Sequence, residues 1–309
     1  MIMQLEAGTL WRKLLETTEA AIDCEALHSI DTEATQLQQD GLSFVVRVAT
    51  NLVRKAQDKQ KQAATRPANG GEFNPFLPPE PELTVAEISD THLAVLNKFN
   101  VVERHLLIVT REFVHQETLL TQADFEALWF CLAEYPALGF YNGGAAAGAS
   151  QKHKHLQLAP LPLYPGQDAY PFETLYASAP GDGIQHLQSL PFKHAWSNLP
   201  LGTSKHDTSE AAALSLQLYR EMLKQVGIQA LANDEGERQS APYNLLMTDS
   251  WMLLAPRSQE FSQGISVNAL GYVGSLFVKD QTGLETIRRF GPMNLLREVS
   301  LSTSEALNI

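Results

Sequence analysis

The sequence predicts an α/β (α+β) fold in which helices flank a mixed, largely antiparallel sheet. In "YNLLMTDSWMLLAPR" (243–257), two apolar runs are separated by a short polar turn, which is typical of a β-hairpin. Segments with helical apolar spacing lie between other strand-like runs. Hydrophobic residues make up 44% of the chain and charged residues 19%, as in a globular protein with a sizeable core.

The N-terminal elements are a helix, a strand and a loop. Apolar residues recur at near-helical spacing within 9–30, which predicts a helix. These positions are Leu10, Leu14, Leu15 and Ile22. The β-branched, apolar run at 43–52 predicts a strand. Because the next stretch is rich in Gln, Ala, Gly and Pro, we expect a mobile surface loop over about 56–82.

The middle of the chain alternates between strands and one helix. Residues 91–110 predict two strands joined by a turn near Lys98–Asn100. A helix over 120–135 can be capped by Thr121 or Asp124. The segment 137–144 then returns to a strand.

The C-terminal third continues this pattern. A strand is predicted over 190–199, and a helix over 208–227 that ends at Gly227. The apolar stripe of that helix consists of Leu214, Leu218 and Met222. The hairpin at 243–257 follows.

Composition excludes several classes of protein. A net charge of −12 argues against broad nucleic-acid binding, and no apolar run is long enough to predict a membrane span. The N-terminus lacks the pattern of a secretory signal. The two cysteines, Cys24 and Cys131, have no CxxC context, so a reducing cytoplasm fits best.

The most informative stretch is "GASQKHKHLQ" (148–157), which contains His-x-His-x-Gln. In a strand, residues two apart share a face, so His153, His155 and Gln157 line up while Lys154 points the opposite way. The small residues before the motif let backbone amides approach an anion. A neutral imidazole is a good nucleophile near pH 7, whereas the Gln157 amide offers a neutral hydrogen-bond donor but cannot act as a proton donor of tunable pKa. This face therefore suits attack on phosphorus with a leaving group that needs little protonation.

Two other interpretations of the motif remain open. The three side chains could form an ordinary solvated strand face. Alternatively, His-x-His could supply two ligands of a metal site, although no third ligand stands out in the sequence.

The motif and its flanking blocks strongly resemble the diadenosine tetraphosphate (Ap4A) phosphorylases, or ATP adenylyltransferases. These enzymes belong to the galactose-1-phosphate uridylyltransferase-like branch of the histidine-triad (HIT) superfamily. The blocks "FNPFLPPEPEL", "HLAVLNKFNVV", "HLLIVTREF", "FYNGGAAAGASQKHKHLQ" and "YNLLMTDSWMLLAPR" occur in the family's order. The resemblance covers about residues 40–300.

The resemblance implies reversible phosphorolysis of Ap4A by inorganic phosphate to ADP and ATP, through an adenylylated histidine. It implies that His155 is the nucleophile, that Gln157 contacts the α-phosphate and that His153 supports the site. The nucleotide- and phosphate-binding positions it implies are Lys55, Asn97, Lys98, Asn142, Gly148, Ala149, Ser150, Gln151, Asn268, Ala269, Leu270 and Lys279. Lys279 could equally be a solvated strand-end lysine, and Arg257 is similarly ambiguous.

The resemblance also predicts the organisation of the whole chain. It implies a single HIT-like catalytic unit over 1–309. In this unit the part at about 1–180 carries the motif, and 181–309 completes the nucleotide site. Uridylyltransferases typically have proline between the two histidines, where this chain has Lys154, and this difference disfavours sugar-nucleotide exchange. The small Ser275 stands where the family usually has a bulky residue near the adenine.

We expect Ap4A, ATP, ADP and phosphate as ligands, with a divalent cation such as Mg²⁺ carried by the nucleotide and no metal site built from protein alone. Positive charge for the phosphates would come from Lys55, Lys98, Lys152, Lys154 and Lys279 if they converge on one cleft. An Ap4A hydrolase, a transferase with another acceptor (an ADP sulfurylase-like activity) and a non-catalytic nucleotide-binding regulator remain alternatives. The sequence slightly favours a monomer.

Overall fold

The computed structural model describes residues 2–50, 73–164, 166, 168–179, 181, 183–199, 208–233 and 236–303. Lys55 and the part of the predicted loop up to residue 72 therefore lie outside the described residues.

The structure is organised around an eight-stranded sheet. In spatial order its strands are β3 Thr84–Glu87, β4 His92–Leu96, β5 Leu106–Thr110, β7 His155–Pro160, β6 Ala137–Gly143, β11 Tyr243–Met247, β12 Trp251–Pro256 and β8 Ala195–Asn198. Every pairing in this sheet is antiparallel. The strands predicted within 91–110, 137–144, 190–199 and 243–257 are all present.

A smaller sheet pairs two strands from the N-terminal part of the chain with one strand from the C-terminal part. It contains β1 Thr32–Gln39, β2 Leu42–Ala49 and β15 Ser275–Val278, in that order. Strand β1 was not predicted, although Asp40-Gly41 is a strong hairpin signal. Both turn residues have positive φ, 53° and 77°, which a tight two-residue turn requires. β2 pairs in parallel with β15, so the sheets together are mixed and largely antiparallel, as predicted.

Two short hairpins complete the strands. They are β9 Ala230–Asn233 with β10 Gly236–Gln239, and β13 Phe261–Ser262 with β14 Ile265–Ser266.

Six α-helices lie in the described part of the chain. They are α1 Leu10–Asp23, α2 Gln122–Leu132, α3 Glu173–Ala177, α4 Thr208–Val226, α5 Gln281–Phe290 and α6 Pro292–Val299. Both capping candidates of α2 take part: the Thr121 side chain accepts from the Asp124 amide, and the Asp124 carboxylate accepts from the Thr121 amide. This reciprocal capping box explains why the helix begins where it does.

The predicted helical stripes are partly wrong. In α1, Leu10 and Leu14 are buried, but Ile22 is 52% exposed. In α4, Leu214 is exposed, and the buried face combines small residues in its first half with Tyr219, Met222, Leu223 and Val226 in its second. Small residues such as Ala211 and Ser215 allow close packing against α2, and a search for large apolar side chains overlooks these positions.

The eight-stranded sheet separates two hydrophobic clusters. Helices α1, α2 and α4 supply side chains to one cluster, which also contains Leu156 and Leu158 of β7. The small sheet, α3, α5 and α6 contribute to the other, which also contains Phe140 of β6. The two faces of β7 therefore meet different surroundings. No helix in the described ranges combines the length and apolarity needed to cross a membrane.

Candidate active site

The His-x-His-x-Gln motif enters the sheet at its centre. Val109 of β5 lies opposite His155, and Leu107 lies opposite Gln157. His153, just before β7, forms an isolated bridge with His115. The Phe76 ring lies 5.6 Å from the His153 ring and 5.5 Å from the His155 ring, so both imidazoles lie on one side of the strand.

Hydrogen bonding fixes the tautomer of His155. Its Nδ1 lies 2.8 Å from the backbone oxygen of His153, which can only accept, so Nδ1 carries the proton. Burial lowers the pKa of His155 to about 4, against the opposing effect of this hydrogen bond. The imidazole is therefore neutral at pH 7, with its lone pair on Nε2, as a nucleophile requires.

His153 has the opposite tautomer. Its Nε2 lies 2.7 Å from the backbone oxygen of Thr110, so this nitrogen donates. Its Nδ1 lies 3.0 Å from Nδ2 of Asn74 and accepts from it. Burial also lowers the pKa of His153. With both ring nitrogens engaged, His153 can support the site but has no free lone pair for attack.

The segment at 73–83 forms one wall of the site. Phe76 is only 6% exposed and contacts both histidine rings. The Phe76 amide donates to Oδ1 of Asn74, which turns Nδ2 of Asn74 toward His153. Residues 73–82 of the predicted loop are therefore held against the histidine face through Asn74 and Phe76, and the mobility of the loop stays a prediction.

Lys154 points away from the histidine face, as strand alternation predicts. Its Nζ lies 2.8 Å from Oδ2 of Asp124 and 3.0 Å from the backbone oxygen of Leu119. Asp124 also contacts Nε2 of His92 at 3.1 Å, and all three of these ionisable side chains are buried. Burial opposes ionisation of Asp124, but Lys154 and His92 outweigh it and hold its pKa well below the usual range.

Lys154 therefore does not join the other lysines in one cleft, in agreement with its predicted orientation. Lys98 contacts both carboxylate oxygens of Glu80 at 2.8 Å, so its charge is already paired. Lys152 is exposed just before the motif, and Lys279 is exposed directly after β15.

The small-residue bend after β6 packs closely against the chain at 267–269. Gly148 has a φ of 91°, and a Cβ there would lie 3.1 Å from Cα of Asn268 and 3.1 Å from the backbone oxygen of Val267. A larger residue would separate these segments. The fold thus brings Gly148 next to Asn268 and Ala269, which lie more than a hundred residues later in the sequence.

Asn142 connects this bend to the C-terminal part. Its Oδ1 accepts from Nδ2 of Asn244 at 2.8 Å and from the amide of Ala269 at 3.0 Å. Asn244 in turn accepts from the buried guanidinium of Arg257 at 2.6 Å. Arg257 is therefore a structural residue that holds this network. Ser150 is exposed and Gln151 is half-buried, next to the bend, while Leu270 is buried.

Several residues that contact or support the site were not predicted. Gln116 accepts from the His155 amide at 2.9 Å and donates to the backbone oxygen of Asn142 at 2.9 Å, which ties β6 to β7. Asn74, Phe76 and His105 are the others. A signal existed for His105: it lies two residues before Leu107, so alternation puts it on the face of Gln157.

Asn97 lies beside His105, with its Nδ2 3.1 Å from Nδ1 of His105. Burial lowers the pKa of His105 to about 4, against an opposing contact with Gln157.

Among the described residues, no group of three His, Cys, Asp or Glu side chains is placed to hold a metal ion.

Two family models match this chain. Residues 2–178 match the Ap4A phosphorylase N-terminal domain, and residues 188–302 match the ATP adenylyltransferase C-terminal domain. The motif and the bend fall within the first match, and Asn268–Leu270 within the second.

Relatives and solved structures agree with these models. Diadenosine 5',5'''-P1,P4-tetraphosphate phosphorylase 2 of Saccharomyces cerevisiae is 30% identical over 251 residues, covering 74% of this chain and 75% of that protein. Protein APA1 of the same yeast is 27% identical, covering 85% and 84%. The structure of yeast Ap4A phosphorylase Apa2 in complex with AMP has a TM-score of 0.75 at 25% identity, covering 99% of this chain and all of the other. The Apa2 structure in complex with Ap4A, at 23% identity, has the same TM-score and covers 98% and 99%, which shows the shared fold.

Proposed function

The chain belongs to the Ap4A phosphorylase (ATP adenylyltransferase) family, and we propose that it is a nucleotidyltransferase that phosphorolyses Ap4A reversibly to ADP and ATP. The observation that carries this proposal is the pair of opposite tautomers at His153 and His155. His155 presents a neutral Nε2 lone pair, whereas both nitrogens of His153 are engaged.

The first step is attack on the α-phosphorus of Ap4A. The Nε2 lone pair of His155 forms a nitrogen–phosphorus bond, and the bond from that phosphorus to the bridging oxygen breaks. ATP leaves with the electron pair, and AMP remains on His155. Nδ1–H stays bonded to the His153 carbonyl, which stabilises the positive charge that develops on the imidazole.

The second step returns the imidazole to its starting state. An oxygen of inorganic phosphate attacks the same phosphorus, the nitrogen–phosphorus bond breaks, and ADP forms. The bond electrons return to Nε2, so His155 again has its lone pair. Run in reverse, the two steps make Ap4A from ATP and ADP.

Gln157 suits this chemistry because its amide has no proton to give to a leaving group. A polyphosphate leaves as a stable anion and needs no general acid. We propose that the Gln157 amide donates to a non-bridging α-phosphate oxygen. A divalent cation such as Mg²⁺, carried by the nucleotide, would neutralise the phosphates of the leaving ATP.

We propose that the remaining nucleotide contacts come from the bend and from the segments packed on it. The backbone at Gly148 and Ala149, with Ser150 and Gln151, would lie against the phosphates, and Asn142 would hold the bend beside Asn268–Leu270. Lys98 must leave Glu80 to bind a phosphate, so we assign it a role on nucleotide entry. Lys279 and Lys55 are further candidates for phosphate contacts. Free cysteines at positions 24 and 131 suit action in the cytoplasm, where we propose that the protein works as a monomer.

The direct test is mass analysis of the intact protein after brief exposure to Ap4A without phosphate. We expect a mass increase of one adenylyl group in the wild type and none in His155→Asn. The matched control is His194→Asn. His194 is also a buried histidine, with its pKa lowered to about 4 by burial, but it precedes β8, four strands from β7. This control should still form the adduct. Adduct formation by His155→Asn would refute the assignment of the nucleophile.

Product analysis separates phosphorolysis from its alternatives. With Ap4A and isotopically labelled phosphate, we expect the label in ADP and equal amounts of ATP and ADP. AMP in place of ADP would indicate a hydrolase, and preferential use of sulfate would indicate another acceptor. Binding of Ap4A without turnover or adduct would indicate a regulator.

A further inference from the structure

We propose that His105 is a positioning residue that fixes which way the side-chain amide of Gln157 points. This inference rests on the proposed function, in which the amide nitrogen of Gln157 donates to the α-phosphate. A glutamine amide can rotate by half a turn and would then present its oxygen, which repels a phosphate oxygen. Some neighbouring group must select the productive orientation.

Strand register places His105 beside Gln157. Leu107 lies opposite Gln157 in the β5–β7 pairing, and His105 is two residues before Leu107, on the same face. Both His105 and Gln157 are buried, at 7% exposure each. The contact with Gln157 raises the pKa of His105, although burial dominates. The two side chains therefore lie close together.

A backbone amide determines the orientation of Asn97. The Phe99 amide, which can only donate, lies 3.3 Å from Oδ1 of Asn97. Nδ2 of Asn97 is therefore the atom that faces Nδ1 of His105 at 3.1 Å, and it donates there. The same arrangement occurs at Asn74, where the Phe76 amide holds Oδ1 and directs Nδ2 to His153. Each asparagine thus sets the tautomer of one site histidine.

The tautomer of His105 follows from these bonds. Because burial lowers its pKa to about 4, the ring is neutral at pH 7 and carries one proton. Nδ1 accepts from Asn97, so the proton is on Nε2. This Nε2 is buried and has no partner within hydrogen-bond distance among the described residues. A buried donor without a partner is unfavourable, so Nε2–H favours the Gln157 orientation that presents Oε1 to it.

The consequence is a chain of donors that begins at a backbone amide. Phe99 donates to Asn97, Asn97 to His105, and His105 to Oε1 of Gln157. Only Nε2 of Gln157 is then left to face the phosphate. His105 acts through Gln157 and does not itself touch the substrate.

The test reverses the direction of the hydrogen bonds that begin at Asn97. In Asn97→Asp the carboxylate can only accept, so it should draw the His105 proton to Nδ1 and leave Nε2 as an acceptor. The amide nitrogen of Gln157 would then turn toward His105, and its oxygen toward the phosphate. We expect the rate of adenylyl-enzyme formation to fall about 10²-fold, as when one oxyanion donor is lost. Nitrogen-15 chemical shifts of the imidazole should report the change of tautomer in the ligand-free protein.

A double-mutant cycle separates this effect from simple charge repulsion. In a Gln157→Ala background, Asn97→Asp should cost at least about 10-fold less than in the wild-type background, because no amide remains to be turned. An equal loss in both backgrounds would overturn the proposal. So would a wild-type His105 with its proton on Nδ1, a result that needs no variant. His105→Gln, which retains a donor, should keep more activity than His105→Phe, and the reverse order would also contradict the proposal.

The outcomes also distinguish this inference from the proposed function. If wild-type protein forms no adduct with Ap4A, the proposed function fails, while the imidazole shifts still report the tautomer. If the adduct forms normally and the tautomer is reversed, only the role of His105 fails.

Discussion

Replacing Lys154 by methionine removes one member of a buried ion pair directly behind the catalytic motif. Methionine fills a similar volume without charge, so the change tests the interaction with Asp124 more than the packing. Lys154 loses two hydrogen bonds, to Asp124 at 2.8 Å and to the backbone oxygen of Leu119 at 3.0 Å. Both charged side chains are 2% exposed, so water cannot replace the lost partner.

The expected loss follows from what remains around Asp124. Removing one partner of a buried pair typically costs about 3–5 kcal/mol, because the other charge stays buried. Asp124 keeps three contacts: the Thr121 amide at 2.7 Å, the Thr121 hydroxyl at 2.8 Å and His92 at 3.1 Å. Since these still stabilise the carboxylate, we expect Lys154→Met to lower the free energy of unfolding by about 3 kcal/mol, the low end of that range.

Urea denaturation followed by tryptophan fluorescence measures this loss. The matched control is Lys98→Met, which breaks the partly exposed pair with Glu80 and should cost no more than about 1 kcal/mol. Adding Asp124→Asn to Lys154→Met should recover part of the loss, because the uncompensated charge is removed. A loss for Lys154→Met as small as that of the control would refute the view that this pair is a buried interaction. The variant should still form an adduct at His155, since Lys154 faces away from it.

Two further predictions concern the environment of the buried histidines. Phe76→Ala should admit water to His155, raise its pKa toward the ordinary value and move the acidic limb of the adenylylation pH profile upward. Phe113→Ala, which removes an exposed ring that contacts only His153 of the pair, should leave that limb in place, and an equal shift in both variants would contradict this explanation. Urea titrations across pH should show stability decreasing from about pH 6.5 toward pH 4. The pKa values of His105, His155 and His194 are lowered to about 4 in the folded chain, so between these limits the unfolded chain binds more protons. A flat profile would contradict the lowered values.

Local pattern was sufficient for much of the fold. The 243–257 hairpin, the Thr121 cap and the strand character of the motif depend on residues close in sequence, where turn chemistry and periodicity act directly. Failures occurred where packing decided the outcome. Leu214 was predicted to be buried because it is large, yet α4 packs mainly through other residues. Elements that depend on nearby residues could thus be predicted, whereas the faces chosen by tertiary packing could not.

The same distinction applies to the site. Alternation along β7 indicated the face shared by the histidines, and it correctly turned Lys154 away. It could not show that Asn74 and Phe76 return to that face, because their segment is proline-rich and carries no periodic signal. Nor could it tell His155 from His153 as a nucleophile, since tautomers are set by partners distant in sequence.

The way the two family matches share one sheet has an evolutionary consequence. The seam between them is the β6–β11 pairing, with Tyr141 opposite Leu245, and the parallel β2–β15 pairing is a second seam. Cutting the chain between residues 178 and 188 would leave each piece with an unpaired strand edge that the other piece covers in the intact chain. Either half alone would therefore expose a strand edge that the intact protein covers. Any lineage that split the gene would have to keep both products co-expressed, as a two-chain enzyme that reassembles along these seams.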